Sequence, residues 1–104
     1  MTGRVEIWPA AIKDAELAAD WFDRQRSGLG RDFLLEVDLT MTRIGEYPES
    51  CQRFHGLLRR AFLRRFHYAV VYRVQTDVVQ IVGIIDCRRR ASDLLRRIVA
   101  PEAG

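Results

Sequence analysis

Apolar residues first gather in the short run Val5-Glu6-Ile7-Trp8, which stops at Pro9. Proline cannot continue a β ladder but suits the first turn of a helix, so the pattern predicts a strand followed by a turn into helix. Over residues 10–25, Ala11, Ala15, Ala18 and Phe22 recur at helical spacing. Leu17 and Trp21 stand four apart on a neighbouring stripe, and Asp14, Glu16, Asp20 and Asp23 take the polar positions. Three alanines on the inner stripe let another helix approach closely. Ser27-Gly28-Leu29-Gly30 interrupts the pattern too briefly to be more than a tight connection between helices. A second helix is predicted from about residue 31 to 47, with Phe33, Val37, Met41 and Ile44 on one face and Leu34 widening it, before Pro48 forbids continuation.

Beyond Pro48 the period changes. Residues 57–63, 68–74 and 78–86 are β-branched and aromatic runs separated by short polar links, which predicts a meander of antiparallel strands. Gln75-Thr76-Asp77 reads as a tight hairpin link. The run from Val78 to Ile85 is almost continuously apolar, as in an interior strand covered on both faces, and Gly83 within it marks a bulge or a close backbone approach. From Arg88 onward the chain turns basic, and Asp93-Leu94-Leu95-Arg96-Arg97-Ile98 reads as a short last helix or a frayed tail. Strand, helix, helix and then three strands is the order of an α+β fold, in which an N-terminal strand and a helical hairpin pack on a mostly antiparallel twisted sheet.

A chain of 104 residues makes one domain, 1–104, long enough to bury a single core. With 48% apolar and 30% charged residues it falls among ordinary globular proteins. No stretch near the start is apolar enough for a signal-peptide core or a membrane span, so a cytoplasmic protein without membrane contact is expected. The net charge of +3 conceals an asymmetry. Residues 1–50 carry six basic and ten acidic side chains, residues 51–104 eleven basic and four acidic, so the halves stand at −4 and +7. Every basic residue but Lys13 is arginine, whose planar fork matches carboxylate and phosphate. The second half therefore calls for an anionic partner, nucleic acid or an acidic protein segment, unless the arginines are merely a solvated face.

Cys51 and Cys87 lack CxxC or Cys/His spacing and read as thiols that fill small spaces. With His55 and His67 they form no zinc pattern, so neither a metal nor a cofactor is expected.

Several stretches resemble the RelE/ParE toxin superfamily. They are Ala18-Ala19-Asp20-Trp21-Phe22 in the first helix, Gly28-Leu29-Gly30-Arg31-Asp32-Phe33 at the hairpin, Ile44-Gly45-Glu46-Tyr47-Pro48-Glu49 closing the second helix, and the long run from Arg59 to Val74, which is similar to the paired strands of the ParE-like branch. The likeness extends over residues 5–90. It implies the toxin of a type II toxin–antitoxin pair, a growth inhibitor masked by a cognate acidic antitoxin in a hetero-oligomer and associated with plasmid stabilisation. It also implies one of two targets: DNA gyrase for ParE-like members, or the ribosome and its messenger RNA, which RelE-like members cut.

Cutting at a ribose needs an activated 2′-hydroxyl, a stabilised phosphate and a protonated leaving oxygen. The RelE-like pattern implies an arginine just after the aromatic that opens the penultimate strand, a second arginine after the last strand, and a tyrosine in the C-terminal segment. In this chain those positions hold Ala69, Arg89 and a residue near Leu95. Arg89 is then the candidate catalytic residue of a RelE-like reading, while alanine and leucine neither move a proton nor hold a phosphate. His67, in the link between strands, reads as a surface turn residue, and Tyr68 and Tyr72, alternating onto one face, read as core. A target-binding inhibitor of the ParE type is the preferred expectation; a ribosome-dependent endoribonuclease and an inactive or nucleic-acid-binding relative are the alternatives. The expected target-binding residues are Arg59, Arg60, Arg64, Arg65, Arg88, Arg89 and Arg90, with Arg60 and Arg64 on one strand face and Arg59 and Arg65 on the other.

Overall fold

The computed structural model describes residues 4–89 and residue 96. β1 (Arg4–Ile7) leads through Trp8 into α1 (Pro9–Gln25), with Pro9 in the first turn, where its fixed φ suits a helix and its missing N–H leaves no bond unmade. α2 (Leu29–Glu46) returns antiparallel, and β2 (Arg53–His55), β3 (Leu58–Phe62), β4 (Tyr68–Gln75) and β5 (Val78–Asp86) complete the chain order. The expected last helix lies, apart from Arg96, outside the described residues, as does Arg90.

The five strands form one sheet in the order β1-β5-β4-β3-β2. β1 runs parallel to β5, with Val5 opposite Val79 and Ile7 opposite Ile81, and the other neighbours are antiparallel. The α+β class and the mostly antiparallel sheet are thus as expected. β2 is an addition, a three-residue strand paired irregularly with the start of β3.

The link between the helices is tighter than the four-residue breaker implied. Arg26, Ser27 and Gly28 make the turn, and Gly28 takes φ 89°, a left-handed conformation that glycine adopts without a Cβ clash. Gly30 is already inside α2, where a Cβ would collide with the Ala19 carbonyl oxygen, and its N–H donates to Asp23 Oδ1 at 2.8 Å. Glycine is required there because the two helices nearly touch.

Ala11, Ala15, Ala18 and Ala19 of α1 and Phe33, Val37 and Ile44 of α2 cover Ala61, Val70, Tyr72, Val79, Ile81 and Ile84 of the sheet. Phe22, Phe33, Phe66 and Tyr68 extend this core as edge-to-face and tilted rings with centroids 4.9–5.7 Å apart. Leu34 does not widen the buried face, and Leu17 and Trp21 also stay exposed, because a two-layer fold covers each helix only where it meets the sheet and the other helix.

β5 lies inside the sheet, between β1 and β4. Its register slips by one residue against β4: Val71 faces Gly83, yet Tyr72 faces Ile81, leaving Val82 as the extra residue of a bulge beside Gly83. The bulge moves the helix-facing set from Val79 and Ile81 to Ile84 and turns Val82 to the opposite face, where it packs with Leu58, Val71, Trp8, Phe54 and Ile85. The Ile84 N–H then donates to Asp14 Oδ2 of α1 at 3.0 Å.

Candidate functional site

Within β3, alternation sends Arg59 and Ala61 toward the helices and Leu58, Arg60 and Phe62 to the other face. Arg59 Nη1 donates to the carbonyl oxygens of Cys51 at 2.6 Å and Glu49 at 3.2 Å, so this arginine fastens the connection between α2 and β2. Arg60 lies with its guanidinium carbon 4.6 Å from the Phe54 ring centroid and 5.3 Å from that of Phe62, a cation–π contact with both.

Arg64 and Arg65 do not follow that alternation. β3 ends at Phe62, and both residues sit in the bend that leads to β4. The cause is Glu36 of α2, whose side chain is only 10% exposed. Its Oε2 accepts the backbone N–H groups of Arg64 at 2.5 Å and Arg65 at 2.9 Å, and its Oε1 accepts Arg65 Nε at 3.4 Å. Burial pushes the Glu36 carboxyl up, but these bonds outweigh it and hold the group below its ordinary value. The expected pairing of Arg60 with Arg64 and Arg59 with Arg65 on two strand faces is therefore replaced by a turn whose backbone is pinned to a helix.

At the end of β5, Arg88 Nε and Nη2 both bond the Asp86 carboxylate at 3.0 Å. The Arg88 side chain is the main reason why Asp86 lies below its ordinary value. Arg89 is exposed, like Arg64, and among the described residues no hydrogen bond holds either guanidinium. The last β4–β5 pair is Tyr68 with Asp86, and the Cys87 N–H donates to the His67 oxygen at 2.7 Å. Arg64, Arg65, Arg88 and Arg89 thus gather at one end of the sheet, around the β3–β4 turn. Arg90 lies outside the described residues.

The remaining chemistry is limited at that end. Tyr68 packs half-buried on Phe22 and Phe33, and its phenol is raised by burial first and by the Asp86 charge second. Tyr72 is fully buried in the core, is raised further by burial, and donates to the Pro48 oxygen at 2.8 Å. Both tyrosines therefore keep their protons at neutral pH. Ala69 is 0% exposed, opposite Phe62 on one side and Ile85 on the other. His67 is exposed in the turn. Among the described residues no cluster of His, Cys, Asp and Glu suits a metal ion.

A second basic feature was not expected. Between the C-terminal half of α2 and the outer side of β3 runs a groove of about 750 Å³, lined by Thr40, Arg43, Ile44, Tyr47, the loop 50–53, Phe54 and residues 60–62. Arg43 and Arg53 join Arg60 there. The signal in the sequence is the pair Arg43 and Tyr47, four apart on the flank of α2, with Phe62 two residues from Arg60.

A helical hairpin on one face of a five-stranded, mostly antiparallel sheet is the fold this chain shares with toxins of the RelE/ParE superfamily. The chain belongs to the family described as ParE toxin of the type II toxin–antitoxin system parDE, whose model matches residues 5–91. Its fold is similar to that of a chain in a chromosomal ParDE toxin–antitoxin system from P. aeruginosa, at TM-score 0.69 and 15% identity over 83% of this chain and 96% of that one. It is also similar to an arginine-to-alanine double mutant of the E. coli toxin RelE in the free state, at TM-score 0.66 and 18% identity over 97% and 98% of the two chains. No curated protein matches it by sequence. Among the described residues no helix is long and apolar enough to cross a membrane.

Proposed function

We propose that this toxin arrests growth by gripping its target with the arginines at the β3–β4 turn and the end of β5, in the manner of a ParE-like inhibitor of DNA gyrase, and that an acidic antitoxin neutralises it. The observation that carries this reading is the cluster of Arg64, Arg65, Arg88 and Arg89, in which Arg64 and Arg89 are exposed with no hydrogen-bonded partner among the described residues. Guanidiniums left open in this way are placed to bind an acidic surface bidentately.

A cutting mechanism finds less support. The position implied for the first RelE-like arginine is a fully buried alanine, Ala69, and the neighbouring phenol of Tyr68 is raised, so it is a poor proton acceptor at neutral pH. A chain in a ParDE toxin–antitoxin system is among the similar structures, which supports an antitoxin as partner.

Purified protein tests the reading directly. Inhibition of gyrase supercoiling without codon-dependent cleavage of ribosome-bound message is the expected result. Message cut between codon positions overturns it in favour of a ribosome-dependent endoribonuclease.

A further inference from the structure

Most arginines of this chain are held by a neighbour, but one end of the molecule collects those that are not. Arg24, Arg26, Arg31, Arg64 and Arg89 are exposed and, among the described residues, their guanidiniums make no hydrogen bond, ion pair or ring contact. What brings them together is the packing of Phe22, Phe33, Phe66 and Tyr68, with ring centroids 4.9–5.7 Å apart. Arg24 and Arg26 follow Phe22 at the close of α1, Arg31 precedes Phe33 at the opening of α2, and Arg64 precedes Phe66 in the β3–β4 turn. Arg89 follows Asp86, the β5 partner of Tyr68. Away from this end, within residues 4–89, Arg4, Arg43, Arg59, Arg60 and Arg73 each bond a neighbour or lie on a ring, and Arg53 alone does not.

We infer that this end binds duplex DNA through its phosphates, with the tip of the helical hairpin continuing the surface formed by the β3–β4 turn and the end of β5. That the polyanion is DNA rests on the gyrase reading above; the match to a polyphosphate does not. Asp23, Glu36 and Asp86 are taken up by backbone N–H groups and by Arg65 and Arg88, which leaves Asp20 and Asp32 beside five open guanidiniums, a positive surplus. Those guanidiniums come from three separate elements. A duplex carries one charge per about 1.7 Å of its axis, so it meets scattered arginines without needing a groove. An acidic peptide is ordered by a groove or a strand edge, and the groove along β3 is lined by none of these five residues. Unpaired bases fit less well, because single strands are held by stacking on open ring faces, and Phe22, Phe33, Phe66 and Tyr68 already pack on one another.

The test titrates the purified chain, without gyrase, into a short labelled DNA duplex and follows fluorescence anisotropy over a range of salt concentrations. The logarithm of the binding constant should fall with the logarithm of salt at a slope of about −4 to −5, as five phosphate contacts require. Duplexes of unrelated sequence should bind equally well. Arg24→Ala combined with Arg31→Ala should weaken binding roughly tenfold and make the slope shallower by about 2. Lys13→Ala, about 16 Å back along α1 from Arg24, should change neither. All three side chains are exposed, so the variants keep the fold. A slope near zero, an unaltered affinity of the double variant, or tighter binding of an RNA duplex, of oligothymidylate or of polyglutamate overturns the inference. A supercoiling assay separates it from the toxin reading. DNA bound without gyrase inhibition overturns that mechanism and leaves the DNA contact standing, whereas gyrase inhibited without DNA binding does the reverse.

Discussion

Glu36 and Arg65, 29 residues apart, hold the second helix and the β3–β4 turn together. Glu36 Oε2 accepts the Arg65 backbone N–H at 2.9 Å while Oε1 accepts its guanidinium at 3.4 Å. The same carboxylate also takes the Arg64 N–H, which leaves the Arg64 side chain free to face outward. One acidic residue in the core layer thereby presents a basic one at the surface.

Replacing this carboxylate loosens the turn. Glu36→Gln should cost roughly 1–3 kcal/mol, the usual range for hydrogen bonds to a charged partner in a buried place. Because the folded Glu36 carboxyl lies below its ordinary 4.5, its contribution is complete above that pH and disappears as the pH falls through the folded value. Urea titrations at pH 7 and pH 3 check this: the variant should differ clearly from the parent at pH 7, and the gap should narrow at pH 3.

The helix contact at Gly30 leaves no space. Gly30→Ala forces a Cβ toward the Ala19 carbonyl and the Asp23 carboxylate, and overpacking of this kind costs about 1–3 kcal/mol. A lowered thermal midpoint with an unchanged far-ultraviolet circular dichroism spectrum is the expected outcome.

The β4–β5 hairpin contains the opposite case. Thr76, in the two-residue loop between Gln75 and Val78, has φ 50°, a left-handed conformation that a β-branched residue adopts at a cost. Thr76→Gly should therefore stabilise the protein, by up to about 1 kcal/mol. A denaturation midpoint at or below that of the parent would count against this account.

Function and stability should separate among the arginines. Arg59→Ala removes bonds to the Cys51 and Glu49 carbonyls and should lower stability by about 1–2 kcal/mol. Arg64→Ala combined with Arg89→Ala touches no hydrogen bond among the described side chains and should leave the midpoint within about 0.5 kcal/mol of the parent while weakening growth arrest. Unchanged toxicity of that double variant at equal expression removes the cluster from the mechanism.

The helices and the three long strands were legible because each carries its own period: alanines and phenylalanines at helical spacing, then β-branched runs. β2 was not, since Arg53-Phe54-His55 has one apolar residue, and its pairing is supplied by β3 rather than by any local preference. The same limit applied to the arginines. Their charge asymmetry is plain from the sequence, but the strand alternation that the pattern continues through Arg64 and Arg65 stops at Phe62, because Glu36, far back in the chain, gives no local sign that it ends the strand. The bulge was half legible: Gly83 marked it, while the displaced residue is Val82. The groove depends on how early β2 stops, which no pattern within β3 reveals.

The parallel pairing of β1 with β5 joins the two ends of the described fold, and the Gln80 amide reaches the Glu6 carboxylate across 74 positions of sequence. A contact of that span forms late, because a long loop must close before it is rewarded. During synthesis, the first strand must therefore wait for the last one to leave the ribosome, and no nascent chain ending before β5 can close the sheet. The arginines at the β3–β4 turn are translated before that moment but acquire their shared end of the sheet only after it. A chain that stops before β5 therefore lacks the closed sheet on which the arginines of the β3–β4 turn meet those at the end of β5.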